Sequence, residues 1–229
     1  MMRDATLSDD GLYRYVLHRW WSGGPVLTFI MLNPSTADAE VDDPTIRRCI
    51  GFSRDLGYDG IRVVNLYSLR ATNPAELWKA ADPTGGEVND IYLIEQLRVA
   101  SHQPVIAAWG ANARPDRVDW LKSLPGAEHL QCLGVTKAGA PRHPLYLPAS
   151  TRPTPWPPPE AAAAEFNAKH PVGTRVRYWP GAREGEGIVS TTRTTAWVVG
   201  GQPVVSVLGY AGGIALTHIQ PITEATDGR

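Results

Sequence analysis

Cysteine is scarce: 229 residues contain only Cys49 and Cys132, and they form no C-x-x-C pair. That excludes a disulfide framework and the common zinc signatures, and it makes a reducing cytoplasm the expected compartment. Long apolar runs are also missing. None approaches the ~20 residues needed to span a bilayer, so no membrane partner is expected. The opening M-M-R-D-A-T-L-S-D-D lacks the apolar core of a secretory signal. Neither sign of charge predominates, the formal net charge being −1. This argues against a protein that coats nucleic acid regardless of sequence, but not against an enzyme with a local basic face, because phosphate contacts need only a patch. The histidines show no pairing at metal-ligand spacing, and the reading calls for no metal and no cofactor.

Proline and tryptophan are plentiful, at 20 and 8 residues. Much of the proline lies in T-R-P-T-P-W-P-P-P, residues 151–159. Successive prolines sustain neither a helix nor a central strand and favour extended polyproline geometry. Residues 151–168 therefore read as a Pro/Ala-rich, semi-rigid linker closing in a short helix, or as an ordered arm packed on the first domain. The expected organisation is an α/β domain over 1–150, this linker, and a small β-barrel of SH3-like or Tudor-like kind over 169–223. Short β-rich runs such as G-I-V-S-T-T and P-V-V-S-V, separated by glycine-bearing turns, point to that barrel.

Strands and helices alternate in the first domain. Apolar runs at 26–32, 61–66, 104–109 and 130–135 read as strands. Helices are expected from Asp43-Pro44 to about Gly57, and over 75–80, 89–101 and 117–124. Asp43 is the helix cap and Pro44 the first helical residue. Such alternation implies a mostly parallel sheet with helices on both faces. Ligands bind outside the carboxyl ends of such strands.

Polar or small residues follow each strand: L-N-P-S-T-A-D at 32–38, V-N-L-Y-S-L-R at 64–70, A-W-G-A-N at 108–112 and the loop G-V-T-K-A-G-A-P-R-H-P-L-Y-L-P at 134–148. Alone, Asn33 or Asn65 is a turn former. Two asparagines at matching strand ends suit a different task, since an amide carries donors and an acceptor and can hold a water or read a heterocycle's edge. His143 lies in a proline-flanked loop made basic by Lys137 and Arg142, which suits an anion or is solvated surface charge. Asp38 is a candidate general base or cation stabiliser, or part of a solvated acidic loop with Glu40 and Asp42.

Together, M-L-N-P-S-T-A-D, N-L-Y-S-L-R-A-T-N-P, W-G and T-K-A-G-A-P-R-H-P-L-Y-L resemble a bacterial and phage family of unknown function marked by the L-N-P-S-T-A stretch, over roughly residues 10–150. Their order is also similar to that of the uracil-DNA glycosylase superfamily, in particular its mismatch-specific thymine/uracil branch. L-N-P-S stands for that branch's first motif, with Ser35 where a glycine is usual. V-N-L supplies its strand-end asparagine, A-A-W-G its third motif and R-H-P-L-Y-L its last, with Leu145 where serine is usual. No G-Q-D-P-Y-H occurs, so the catalytic aspartate of the most active branch is absent.

The second resemblance implies a uracil-DNA-glycosylase-like fold and a DNA N-glycosylase acting on an uncommon or modified base, in repair or phage–host conflict. Asn33 would position water, Asp38 would favour the developing cationic sugar, and His143 would donate to the departing base. Asn65 would read the base edge, with Pro34, Ser35, Tyr67, Trp109 and Gly110 around it. Arg70, Lys137 and Arg142 would contact phosphate, while Leu145 and Tyr146 would wedge into the vacated stack. Two other readings remain open. One is a hydrolase or transferase acting on free nucleotides or nucleosides. The other is a non-catalytic reader of a nucleobase or DNA end, whose barrel binds a protein or DNA partner.

Overall fold

A computed structural model describes residues 1–35 and 41–222. Two compact units divide the chain, Met1–Trp156 and Pro157–Arg229.

The first unit opens with a hairpin, β1 (Met2–Leu7) and β2 (Arg14–Trp20), paired antiparallel. Then follow β3 (Val26–Met31), α1 (Pro44–Asp55) and β4 (Gly60–Asn65). A 3₁₀ turn over Pro74–Lys79 leads to α2 (Gly86–Arg98) and β5 (Val105–Ala107). Last come α3 (Pro115–Ser123), β6 (Gln131–Cys132) and β7 (Thr154–Pro155). The sheet runs β1-β2-β4-β3-β5-β6-β7. Its centre, β4-β3-β5-β6, is parallel, whereas β1, β2 and β7 join antiparallel.

The sheet is therefore mixed rather than mostly parallel. The expected helix at 75–80 is a 3₁₀ turn, stopped short of Asp82-Pro83 because a residue before proline is pushed from helical geometry. The expected strand over 130–135 pairs through only two residues, Gln131 and Cys132.

Alternation along the parallel strands sends side chains to two cores. Leu27, Phe29, Met31, Ile61 and Val63 meet Ile46, Cys49, Ile50 and Phe52 of α1. Ile30, Val64, Val105 and Ala107 meet Leu93 and Leu97 of α2 and Leu121 of α3. Helices thus cover both faces. Asp43 caps α1 as expected, its carboxylate accepting from Ile46 N at 2.8 Å.

The proline-rich stretch is not a free linker. β7 pairs with β6, and Trp156 is buried with its ring edge-on to Trp109, centroids 4.8 Å apart. The first unit thus ends at Trp156 rather than 150. The alanines after Glu160 form α4 (Pro159–Lys169), which belongs to the second unit and contributes Ala163 and Phe166 to its core.

Among its described residues, that second unit holds two three-stranded antiparallel sheets. One joins β8 (Arg175–Tyr178), β9 (Ile188–Thr191) and β13 (Ile219–Pro221). The other joins β10 (Trp197–Val199), β11 (Gln202–Val205) and β12 (Ile214–Ala215). Val176, Tyr178, Val205, Val207 and Ile214 form one shared core.

No helix among the described residues is long and apolar enough to cross a membrane.

Candidate functional site

Strand order fixes where a cleft opens. From β3 the chain crosses to β4 on one side, and later to β5 on the other, so the connections diverge at the carboxyl end of β3. A cavity of about 310 Å³ lies there, at the small end of the range for small-molecule sites. Asn33, Ser35, Asn65, Trp109, Gly110 and His143 line it, from four separated segments.

Asn65 is the informative residue. It ends β4 on the α1 side of the sheet, opposite Met31. Its side chain is 1% exposed, yet neither Nδ2 nor Oδ1 has a hydrogen-bond partner among the described residues. Leaving a buried polar atom unpaired costs about 1–3 kcal/mol, and folded proteins leave few such groups. Asn65 lines the cavity, and an amide carries side by side the donor and the acceptor that a heterocycle's edge or an ordered water engages. The Asn65 backbone carbonyl is otherwise engaged, by Asn89 Nδ2 at 3.1 Å.

Asn33 behaves differently. Its Nδ2 donates to Ala71 O at 2.7 Å and to Pro34 O at 2.9 Å, while Ala71 N donates back to Pro34 O. The amide thus stitches the loop after β3 to the loop after β4. Asn33 is also one of the residues that line the cavity. Pro34 is buried and serves through its carbonyl; it does not line the cavity.

His143 enters from the long loop after β6. Its Nδ1 accepts from Leu145 N at 3.3 Å, which places the ring proton on Nε2 and makes that atom the donor. Burial lowers its pKa, against an opposing pull from Asp43, so the neutral ring is favoured. Gly110 holds this loop: its N–H donates to Pro141 O at 2.9 Å. Its φ is +75°, and a Cβ there would lie 3.7 Å from His143 Cβ. Arg48 of α1 also donates to the Leu147 carbonyl.

Other expected site residues are placed elsewhere. Tyr67 is buried outside the cavity: its hydroxyl accepts from Arg114 N at 3.2 Å and its ring packs edge-on to Trp78. Arg70 is half-buried, with Nη1 donating to Gly11 O at 3.1 Å, so part of its guanidinium secures the first hairpin rather than facing solvent. Lys137 and Arg142 are exposed on the loop that carries His143. Leu145 is half-buried and Tyr146 is 85% exposed. Asp38 lies outside the described residues.

The cavity also takes in residues that sequence reasoning missed. Arg14, 2% exposed, lines it; nothing in the spacing of R-Y-V-L-H-R-W sets it apart from a surface charge. Asp43 and Thr45, at the start of α1, line it too. Asp43 was recognised only as a cap. Among the described residues no group of three or more His, Cys, Asp and Glu lies together as a metal site.

Residues 14–145, more than half of the chain, match DUF1643, a protein family of unknown function. The chain belongs to that family. No curated protein matches the chain, and no solved structure does.

Proposed function

We propose that the chain is a DNA N-glycosylase-like enzyme that hydrolyses the base–sugar bond of an uncommon or modified base after base flipping, in repair or in phage–host conflict. The observation that carries this reading is the buried, unpartnered Asn65 amide in one cavity with Asn33 and His143. A flipped base takes its edge contacts from Asn65. Its stacking energy, a few kcal/mol, is given up on extrusion, and Trp109 beside the cavity offers a new aromatic contact.

In the reaction the bond from C1′ to the base nitrogen breaks, with its electron pair leaving on the base. Water forms the new C1′–O bond, and the proton it loses neutralises the departing base anion. Asn33 Oδ1 accepts from that water and holds it. The His143 Nε2–H donates to a base carbonyl where negative charge accumulates, as an oxyanion-hole donor does. Asp38 serves as the counter-charge to the oxocarbenium-like sugar. Lys137 and Arg142 contact phosphate, and Leu145 with the exposed Tyr146 wedges into the vacated stack. No cofactor enters these steps.

The parallel strand order and the ordered motifs support a uracil-DNA-glycosylase-like core. The two small sheets around one core support an SH3-like barrel as partner-binding module, and the cytoplasm is the proposed compartment. The net charge of −1 favours, as second reading, the same chemistry on free nucleosides or nucleotides. The test is base release from duplex and single-stranded DNA carrying a panel of altered bases, beside the matching nucleosides. Release from DNA supports the first reading, release from nucleosides alone the second. Folded protein releasing nothing overturns both.

A further inference from the structure

A second cavity, of about 260 Å³, shares Trp109, Gly110 and Ala111 with the first. The two therefore open along one short segment that follows β5. Two tryptophans, Trp109 and Trp156, contribute to the second cavity, and Val118, Ala138, Gly139 and Ala140 complete much of its wall. Small side chains leave room where larger ones would fill it. Asp119 is its one ionisable lining residue, so the wall suits an uncharged flat ring rather than a phosphate.

The loop after β6 connects the cavities. Its turn is closed by Thr136 N donating to Ala140 O at 2.8 Å and is anchored by Trp156 Nε1 donating to Gly139 O at 3.1 Å. Residues 138–140 face the second cavity and His143 the first, and the exposed cations Lys137 and Arg142 flank them in sequence. A ligand with one ring in each cavity has to bridge them beside this basic loop. That pattern of ring, anionic link and ring is a dinucleotide step of an unpaired strand.

We propose that the second cavity binds the nucleobase adjacent to the one read by Asn65, and that the substrate is accordingly single-stranded DNA held across two neighbouring, unstacked bases. This rests on the nucleobase reading of the first cavity.

Calorimetric titration with 5′-monophosphates of deoxyuridine and the four common deoxynucleosides, and with matching dinucleotides ending in thymidine, tests it. At least one dinucleotide is expected to bind roughly tenfold more tightly than its mononucleotide, the order of one base–aromatic contact. Ala138→Trp, filling only the second cavity, removes that advantage and leaves mononucleotide affinity unchanged, while Ala138→Ser preserves both. Equal affinity of mono- and dinucleotides, or an advantage that survives Ala138→Trp, overturns the two-base inference alone. Absence of binding by any of these nucleotides and by the altered-base nucleosides of the release panel overturns the nucleobase reading with it.

Discussion

At the scale of residues, the site depends on which polar atoms are satisfied within the protein and which are not. Among the described residues Asn65 has no partner for either amide atom, whereas Asn33 commits its two donors to backbone carbonyls. Substitution should separate them. Asn65→Leu, similar in volume, removes two unpaired buried atoms and should hold or raise the melting temperature while abolishing base release. Asn33→Ala should lower stability by about 1–2 kcal/mol through its lost hydrogen bonds, as well as reduce activity. Thermal unfolding beside single-turnover assays checks both.

A pH prediction concerns His18. Burial, and then Arg62, whose Nε donates to His18 Nε2 at 2.8 Å, lower its pKa from 6.5 to about 4. The unfolded chain therefore binds a proton that the native state does not between these values. Stability should fall as pH drops from about 6.5 toward 4, and His18→Gln should flatten that slope in denaturant titrations. At this scale Asn33 and Asn65, singled out at strand ends, and His143, in the loop after β6, all line one cavity, because a break in apolar pattern marks where a strand gives way to a loop. Tyr67 and Arg70 sit in the same loops, but local pattern does not show which way a loop side chain turns. Arg14 was hidden because a buried cation in a strand has the spacing of an ordinary surface charge.

At the scale of elements, the β1–β2 hairpin and the start of α1 are joined by an ion pair. The Arg19 side chain, wholly buried, places Nε 2.7 Å from Asp42 Oδ1. Asp42→Ala should destabilise the protein by about 1.5–3 kcal/mol, since it removes a charge-assisted hydrogen bond to a wholly buried guanidinium; chemical denaturation measures it. Asp43 and Thr45 at the cavity wall directly follow this anchor in the chain. α1 was legible from its Asp-Pro start and helical apolar spacing. The hairpin was not, because Arg14, His18 and Arg19 interrupt the apolar alternation that marks a strand. β6 was overestimated for the opposite reason: Leu130 and Leu133 are buried beside it, yet only two residues make the ladder.

At the scale of the whole molecule, separate cores imply separable units. A chain ending at Trp156 should fold and retain base release. One ending at residue 150 loses β7 and the buried Trp156, and should be about 3–5 kcal/mol less stable than the longer piece, as for other buried tryptophan truncations. Composition marks 151–168 as a linker, since proline discourages regular structure; pairing of only two residues and one tryptophan anchor cannot be read from such a run. The central claim is that the carboxyl end of the sheet holds a nucleobase against Asn65. The most direct measurement is the Asn65 side-chain amide resonance, assigned through Asn65→Leu, during titration with free uracil, thymine, cytosine, adenine, guanine and hypoxanthine. The account predicts a saturable shift with at least one base, accompanied by shifts at Trp109 and His143 and abolished by Asn65→Leu. An Asn65 amide that remains unmoved by every base, in folded protein, would contradict it.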